Sequence, residues 1–158
     1  MKEFIDSLVS QYGYPFDYDR MCNDKNIRYF ESDFIVVPFT QICEGYEIFN
    51  HDFSDDRIKE YFKLHEFGHA LLGHTKADED QANAFAGAFF DNIEGIIKEA
   101  REEILSKEEV IIMIKRPDVY ERVINDIREG EPTHPRSQMH YQTPASPGSY
   151  SGSGIPSL

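Results

Sequence analysis

Two histidines one helical turn apart constrain this chain more than any other feature in it. They are His65 and His69, within the stretch KLHEFGHALLGH at 63–74. Ile58, Phe62, His65, His69 and Leu72 recur at steps of four, three, four and three. That spacing predicts a helix beginning near Ser54 or Asp55 and ending at Gly73. Residues i and i+4 share a helix face, so both imidazoles can reach one ion. Glu66 sits beside the first histidine but offset around the helix, where it can address a water. Zinc in such a site activates a water for attack on a carbonyl, and the carboxylate acts as general base. The competing reading is an amphipathic helix that happens to carry histidines. Against it, both fall on the apolar stripe, where unliganded imidazoles need buried partners. Gly68 also leaves a gap beside them.

A zinc hydrolase needs a third protein ligand and one open position. The next acidic cluster is ADEDQANAFAGAFF at 77–90. Asp78, with Gln81 three residues later, has the form of a capping box for a second helix. Asp80 points to another side of that helix. Glu79 is therefore the preferred third ligand, with Asp78, Asp80 and His74 as alternatives. Asn83, four residues after Glu79, shares its face and can hydrogen-bond the free nitrogen of a ligating histidine. His74 is expected to cap the end of the first helix, where a partly positive imidazole is favoured. Asp91 and Glu94 read as solvated helix charges. His51, His134 and His140 show no partner pattern.

The rest of the chain supplies a frame. Phe4, Ile5, Leu8, Val9 and Tyr12 predict a short helix over 2–12, ended by Gly13 and Pro15. IRYF, FIVVPF and YEIF, within 27–49, read as short strands, with Pro38 demoting the second to an edge strand or an irregular end. The helix from Asp78 is expected to run to about residue 104, weakened by Gly87 and Gly95. Ser106 and Glu109 are candidates to cap a further helix, broken at Pro117, although VIIMI alone also suits a strand. From Pro132 to the end, 27 residues hold five Pro, three Gly and six Ser, the composition of a flexible tail.

The chain has 158 residues, one domain with room for an appendage, and 40% are apolar, enough for a core. Its formal charge of −13 repels phosphate backbones and argues against direct nucleic-acid binding. No apolar run approaches the roughly 20 residues that span a bilayer. The N-terminus lacks a signal-peptide pattern. Cys22 and Cys43 have no metal-type spacing and are expected to be reduced thiols. A cytoplasmic protein is the expectation.

HEFGHALLGH followed by EDQANAFA resembles the ImmA/IrrE family of metallopeptidase-like proteins, over about residues 1–90. The resemblance implies a compact zincin-like α+β fold of the thermolysin-like group, with a small sheet packed on the His-Glu-x-x-His helix and on a second ligand-bearing helix. It implies zinc held by His65, His69 and Glu79, Glu66 as general base, and Asn83 as the family's asparagine after the ligand glutamate. The family's continuation Leu-Leu-x-Pro is replaced here by AFFDN. The expected organisation is a metallopeptidase-like domain over 1–105, a helical extension over 106–130 and the tail over 131–158. The expected activity is zinc-dependent cleavage of a cytoplasmic regulatory protein. By resemblance the substrate is a helix-turn-helix repressor of a phage or mobile element. The alternative is a zinc-containing interaction module that binds its partner without cutting it.

Overall fold

The computed structural model describes residues 1–134 and 136. Among them the chain folds as a compact α+β unit of seven helices around a three-stranded sheet. Helix α1, Lys2–Tyr12, buries Leu8 and Tyr12 and stops at Gly13, whose φ is 74°. Helix α2, Tyr18–Lys25, has no counterpart among the elements the sequence pattern predicts. It is short and strongly polar, and only Tyr18, Met21 and Cys22 are buried. The local signals are present nonetheless. The Asp17 carboxylate accepts from the Arg20 N–H, and Asn26 closes the helix in the left-handed region at φ 58°.

Strand β1, Ile27–Ser32, follows at once and pairs in parallel with β3, Tyr46–His51. Strand β2, Phe39–Ile42, pairs antiparallel with β3 and forms an edge of the β1-β3-β2 sheet. The FIVVPF expectation needs correcting here. Ile35 and Val36 are buried, but in the connection before β2. The strand starts only after Pro38, which lacks the N–H a ladder needs. The β2–β3 turn depends on Gly45 at φ 120°, where a Cβ would collide with the Asn26 carbonyl oxygen.

Side chains alternate between sheet faces, so the register assigns each residue to a layer. Phe30, Phe49 and Phe39 stand side by side, their rings stacked at 5.0 and 4.8 Å. Arg28, Glu47 and Gln41 form a second line on that face. Tyr29, Ile48 and Thr40 line up on the other face. Against that other face packs α3, Asp56–Leu71. Its Phe67 meets the Tyr29 ring at 5.7 Å, and its Lys59 carbonyl accepts from Asn50 Nδ2 at 3.1 Å. Asp55 caps α3 by accepting from the N–H groups of Arg57 and Ile58.

Helix α4 is Glu79–Gly87, and α5 is Ile93–Leu105. The single helix expected from Asp78 to about 104 is thus two. It breaks after Gly87, and Asn92 at φ 54° caps the second piece by accepting from the Gly95 N–H. Helix α6, Glu108–Lys115, shows VIIMI to be helical. Ser106 does not cap it, because its hydroxyl donates back to the Glu103 carbonyl. Helix α7, Pro117–Glu129, carries Pro117 in its first turn, where the missing N–H costs nothing. Val110, Met113, Tyr120 and Ile124 from α6 and α7 join the same core as the sheet.

Glu131 to His134 and Arg136 belong to the segment expected as a tail, and the rest of it lies outside the described residues. His134 bridges to Tyr29 on the outer edge of β1, and its Nε2 lies 2.8 Å from Lys63 Nζ. Cys22 and Cys43 are free thiols. Among the described residues no helix is long and apolar enough to cross a membrane.

Candidate metal centre

The register of the sheet decides what α3 meets. Thr40 lies on the face that α3 covers, opposite Glu66. Its hydroxyl donates to Glu66 Oε2 at 2.6 Å, and the Glu66 carbonyl is within 3.1 Å of the same hydroxyl. His65, Glu66 and His69 are all buried on this helix. The two imidazole rings stand edge-on with centroids 5.0 Å apart.

The return of the chain follows from how α3 ends. Gly73, at φ 71°, takes the left-handed conformation. Its N–H donates to the Ala70 carbonyl at 3.2 Å, and the His74 N–H donates to the His69 carbonyl at 2.9 Å. This is a Schellman ending, which reverses the chain tightly. Asp78 then accepts from the Gln81 N–H, so α4 starts at Glu79. Gly68 is where the two helices touch. A Cβ there would sit 3.1 Å from the Phe85 ring and 3.4 Å from the Ala82 Cα. The gap expected beside the histidines is therefore filled by α4.

These two turns bring Glu79 to the histidines. Glu79 Oε2 lies 3.0 Å from His65 Nε2, and Oε1 lies 3.4 Å from His69 Nε2. The three ligand atoms fall within 4.8 Å of one another. Tetrahedral zinc ligands with bonds near 2.1 Å lie about 3.4 Å apart, so the spacing suits one ion. The donor set, two imidazole nitrogens and one carboxylate, also suits zinc. Glu79 keeps 61% of its side chain exposed, which leaves the cluster open on one side. Of the alternatives, Asp78 is spent as the cap, while His74 and Asp80 are outside this cluster.

The cluster sits in a cleft of about 730 Å³. Strand β2 forms one wall, and Phe62, Ile97 and the 74–77 turn form others. Tyr46 and Tyr61 are the tyrosines lining it among the described residues. Asn83 lines the cleft and favours the protonated form of His65, and its Oδ1 accepts from the Tyr61 hydroxyl at 3.4 Å.

Charge is distributed unevenly here. Burial disfavours a proton on His65, but Glu79 and Glu66 outweigh it and raise the pKa. Burial, with His65 beside it, pushes His69 down to about 4. Glu79 is held below its usual range, chiefly by the His65 hydrogen bond. Burial pushes Glu66 up to about 7, against the pull of His65 and Thr40.

The structure thus brings together His65, His69 and Glu79, with Glu66 and Asn83 beside them. Sequence reasoning did not find Thr40. Its role comes from the β2–β3 register, which no local pattern encodes. Compared with protein-family models, curated proteins and solved structures, the chain finds no match in any of the three.

Proposed function

We propose that this chain is a zinc-dependent endopeptidase with a zincin-like fold of the ImmA/IrrE kind. Its substrate on this reading is a cytoplasmic regulatory protein, a helix-turn-helix repressor of a phage or mobile element. The observation that carries the reading is the convergence of the His65 and His69 Nε2 atoms on the Glu79 carboxylate, beside Glu66, in an open cleft. A structural zinc site has no need of the neighbouring Glu66 carboxylate or of an open side.

His65, His69 and Glu79 would hold the metal. Bound zinc would supply Lewis acidity and make a water nucleophilic near neutral pH. Glu66 takes the proton of the attacking water and returns it to the leaving amine. Thr40 holds one Glu66 oxygen, which limits the carboxylate to few orientations. Asn83 steadies His65. Phe39, Thr40, Gln41 and Ile42 all line the cleft and belong to an edge strand. An extended peptide can add to such an edge through its main chain. The charge of −13 favours a basic protein partner over nucleic acid.

The test is incubation with purified helix-turn-helix repressors of phages or mobile elements, followed by mass spectrometry of the products. Cleavage is expected to stop when a chelator strips the metal and to return when zinc is restored. Cleavage that survives chelation would remove the zinc mechanism. Repressor binding without cleavage would favour the interaction module.

A further inference from the structure

We propose that His74 and Gln81 position the metal ligand His69 by biasing its proton toward Nδ1 and so freeing Nε2 for the metal. The proposal rests on the zinc reading above and adds two residues to it.

The geometry is a chain of three groups. His69 Nδ1 lies 2.9 Å from His74 Nδ1. His74 Nε2 lies 3.1 Å from Gln81 Oε1. A neutral imidazole has one donor nitrogen and one acceptor nitrogen, and a carboxamide oxygen only accepts. Gln81 Oε1 therefore requires the proton of His74 to be on Nε2. His74 Nδ1 is then an acceptor and takes the proton of His69 Nδ1. That leaves the lone pair of His69 on Nε2, the atom 3.4 Å from Glu79 Oε1. A metal ligand needs that lone pair free. Without the metal, Glu79 Oε1 accepts from His69 Nε2 and draws the proton there. The chain through His74 to Gln81 opposes that pull, and a donor in place of the Gln81 oxygen removes the opposition.

Local structure explains why the three groups meet. The Schellman turn at Gly73 folds His74 back under His69, with its N–H on the His69 carbonyl. Gln81 lies two residues beyond Glu79 on α4. The ligand Glu79 and the end of the chain at Gln81 thus arrive on one helix. From the sequence pattern alone, His74 reads as a helix cap and Gln81 as part of a capping box. The Gln81 N–H does bond to Asp78, but the Gln81 side chain is turned to His74.

The test uses four proteins at one pH: wild type, His74→Ala, Gln81→Glu and Gln81→Lys. Zinc affinity is read by competition with a chromophoric chelator. Nitrogen-15 spectra of the metal-free proteins read the His69 tautomer. Gln81 is exposed, so its variants keep the fold. Glutamate still presents an acceptor, and lysine presents only donors. His74→Ala and Gln81→Lys are expected to bind zinc about 10–100-fold more weakly. Gln81→Glu is expected to stay near wild type. In the metal-free proteins the share of His69 protonated on Nδ1 is expected to be larger in wild type than in Gln81→Lys. The charge difference between glutamate and lysine would by itself move zinc affinity, but it would not move the His69 proton from one ring nitrogen to the other, so the tautomer is the deciding readout. Equal zinc affinities in all four proteins, or the same His69 tautomer balance in wild type and Gln81→Lys, would overturn the proposal. A wild type that binds no zinc while showing the expected tautomers would instead overturn the zinc reading on which it rests.

Discussion

Glu66→Gln is expected to keep its zinc and to lose about 10²–10⁴-fold in the rate of peptide cleavage. The substitution preserves size and removes only the ability to accept a proton. The ligands His65, His69 and Glu79 are not altered. Thr40, whose hydroxyl lies 2.6 Å from Glu66 Oε2, can still donate to the amide oxygen of a glutamine. The fold and the cleft should therefore persist, so a loss of rate reports on chemistry. Side-by-side assays of cleavage and of metal content check it. An interaction module makes the opposite prediction, since it uses no general base and its effect would survive the change. A variant that cleaves at the wild-type rate would remove Glu66 from the mechanism.

Glu47→Ala is expected to cost about 3 kcal/mol of folding stability, the low end of what breaking a buried ion pair costs. Glu47 is fully buried at the centre of the sheet. Arg28 Nη1 approaches it at 3.2 Å, Arg128 Nε at 3.0 Å and Gln41 Nε2 at 3.1 Å. Arg28 and Gln41 flank Glu47 in register, and Arg128 comes from the end of α7. Deleting the carboxylate leaves two guanidinium groups facing each other across a vacated space. Both keep a fifth to a third of their side chains exposed, which is why the expected cost stays low in its range. Urea unfolding of the two proteins measures it. A change under about 1 kcal/mol would mean that the arginines rehydrate freely and that Glu47 does not tie α7 to the sheet. Because Gln41 also lines the cleft, the same variant should loosen the β2 wall.

What the sequence made legible was local. The i, i+4 histidines, the caps Asp55 and Asp78 and the stop at Gly73 each express their physics within a few residues. So α1, α3 and the start of α4 could be read directly. The break between α4 and α5 was harder. Gly87 and Gly95 only weaken a helix, whereas the restart as α5 rests on Asn92 in the left-handed region. Helix α2 was missed because its polar composition hides a three-residue buried stripe. The FIVVPF run misled because Ile35 and Val36 are buried without being paired. Hydrophobicity reports burial, while a strand also needs a partner ladder. The site divides in the same way. His65, Glu66 and His69 are set by helix periodicity. Glu79 depended on a chain reversal whose sharpness Gly73 supplies. Thr40 and the His74–Gln81 chain depend on tertiary register and side-chain direction, and they carry no signature in spacing.

Zinc bound per purified chain, compared between wild type and Glu79→Ala, tests the central claim most directly. The account predicts close to one zinc per chain in the wild type and a clear loss in the variant. A wild type that takes up no zinc even when it is supplied would contradict it, and the histidines of α3 would then be a paired feature of a packed helix.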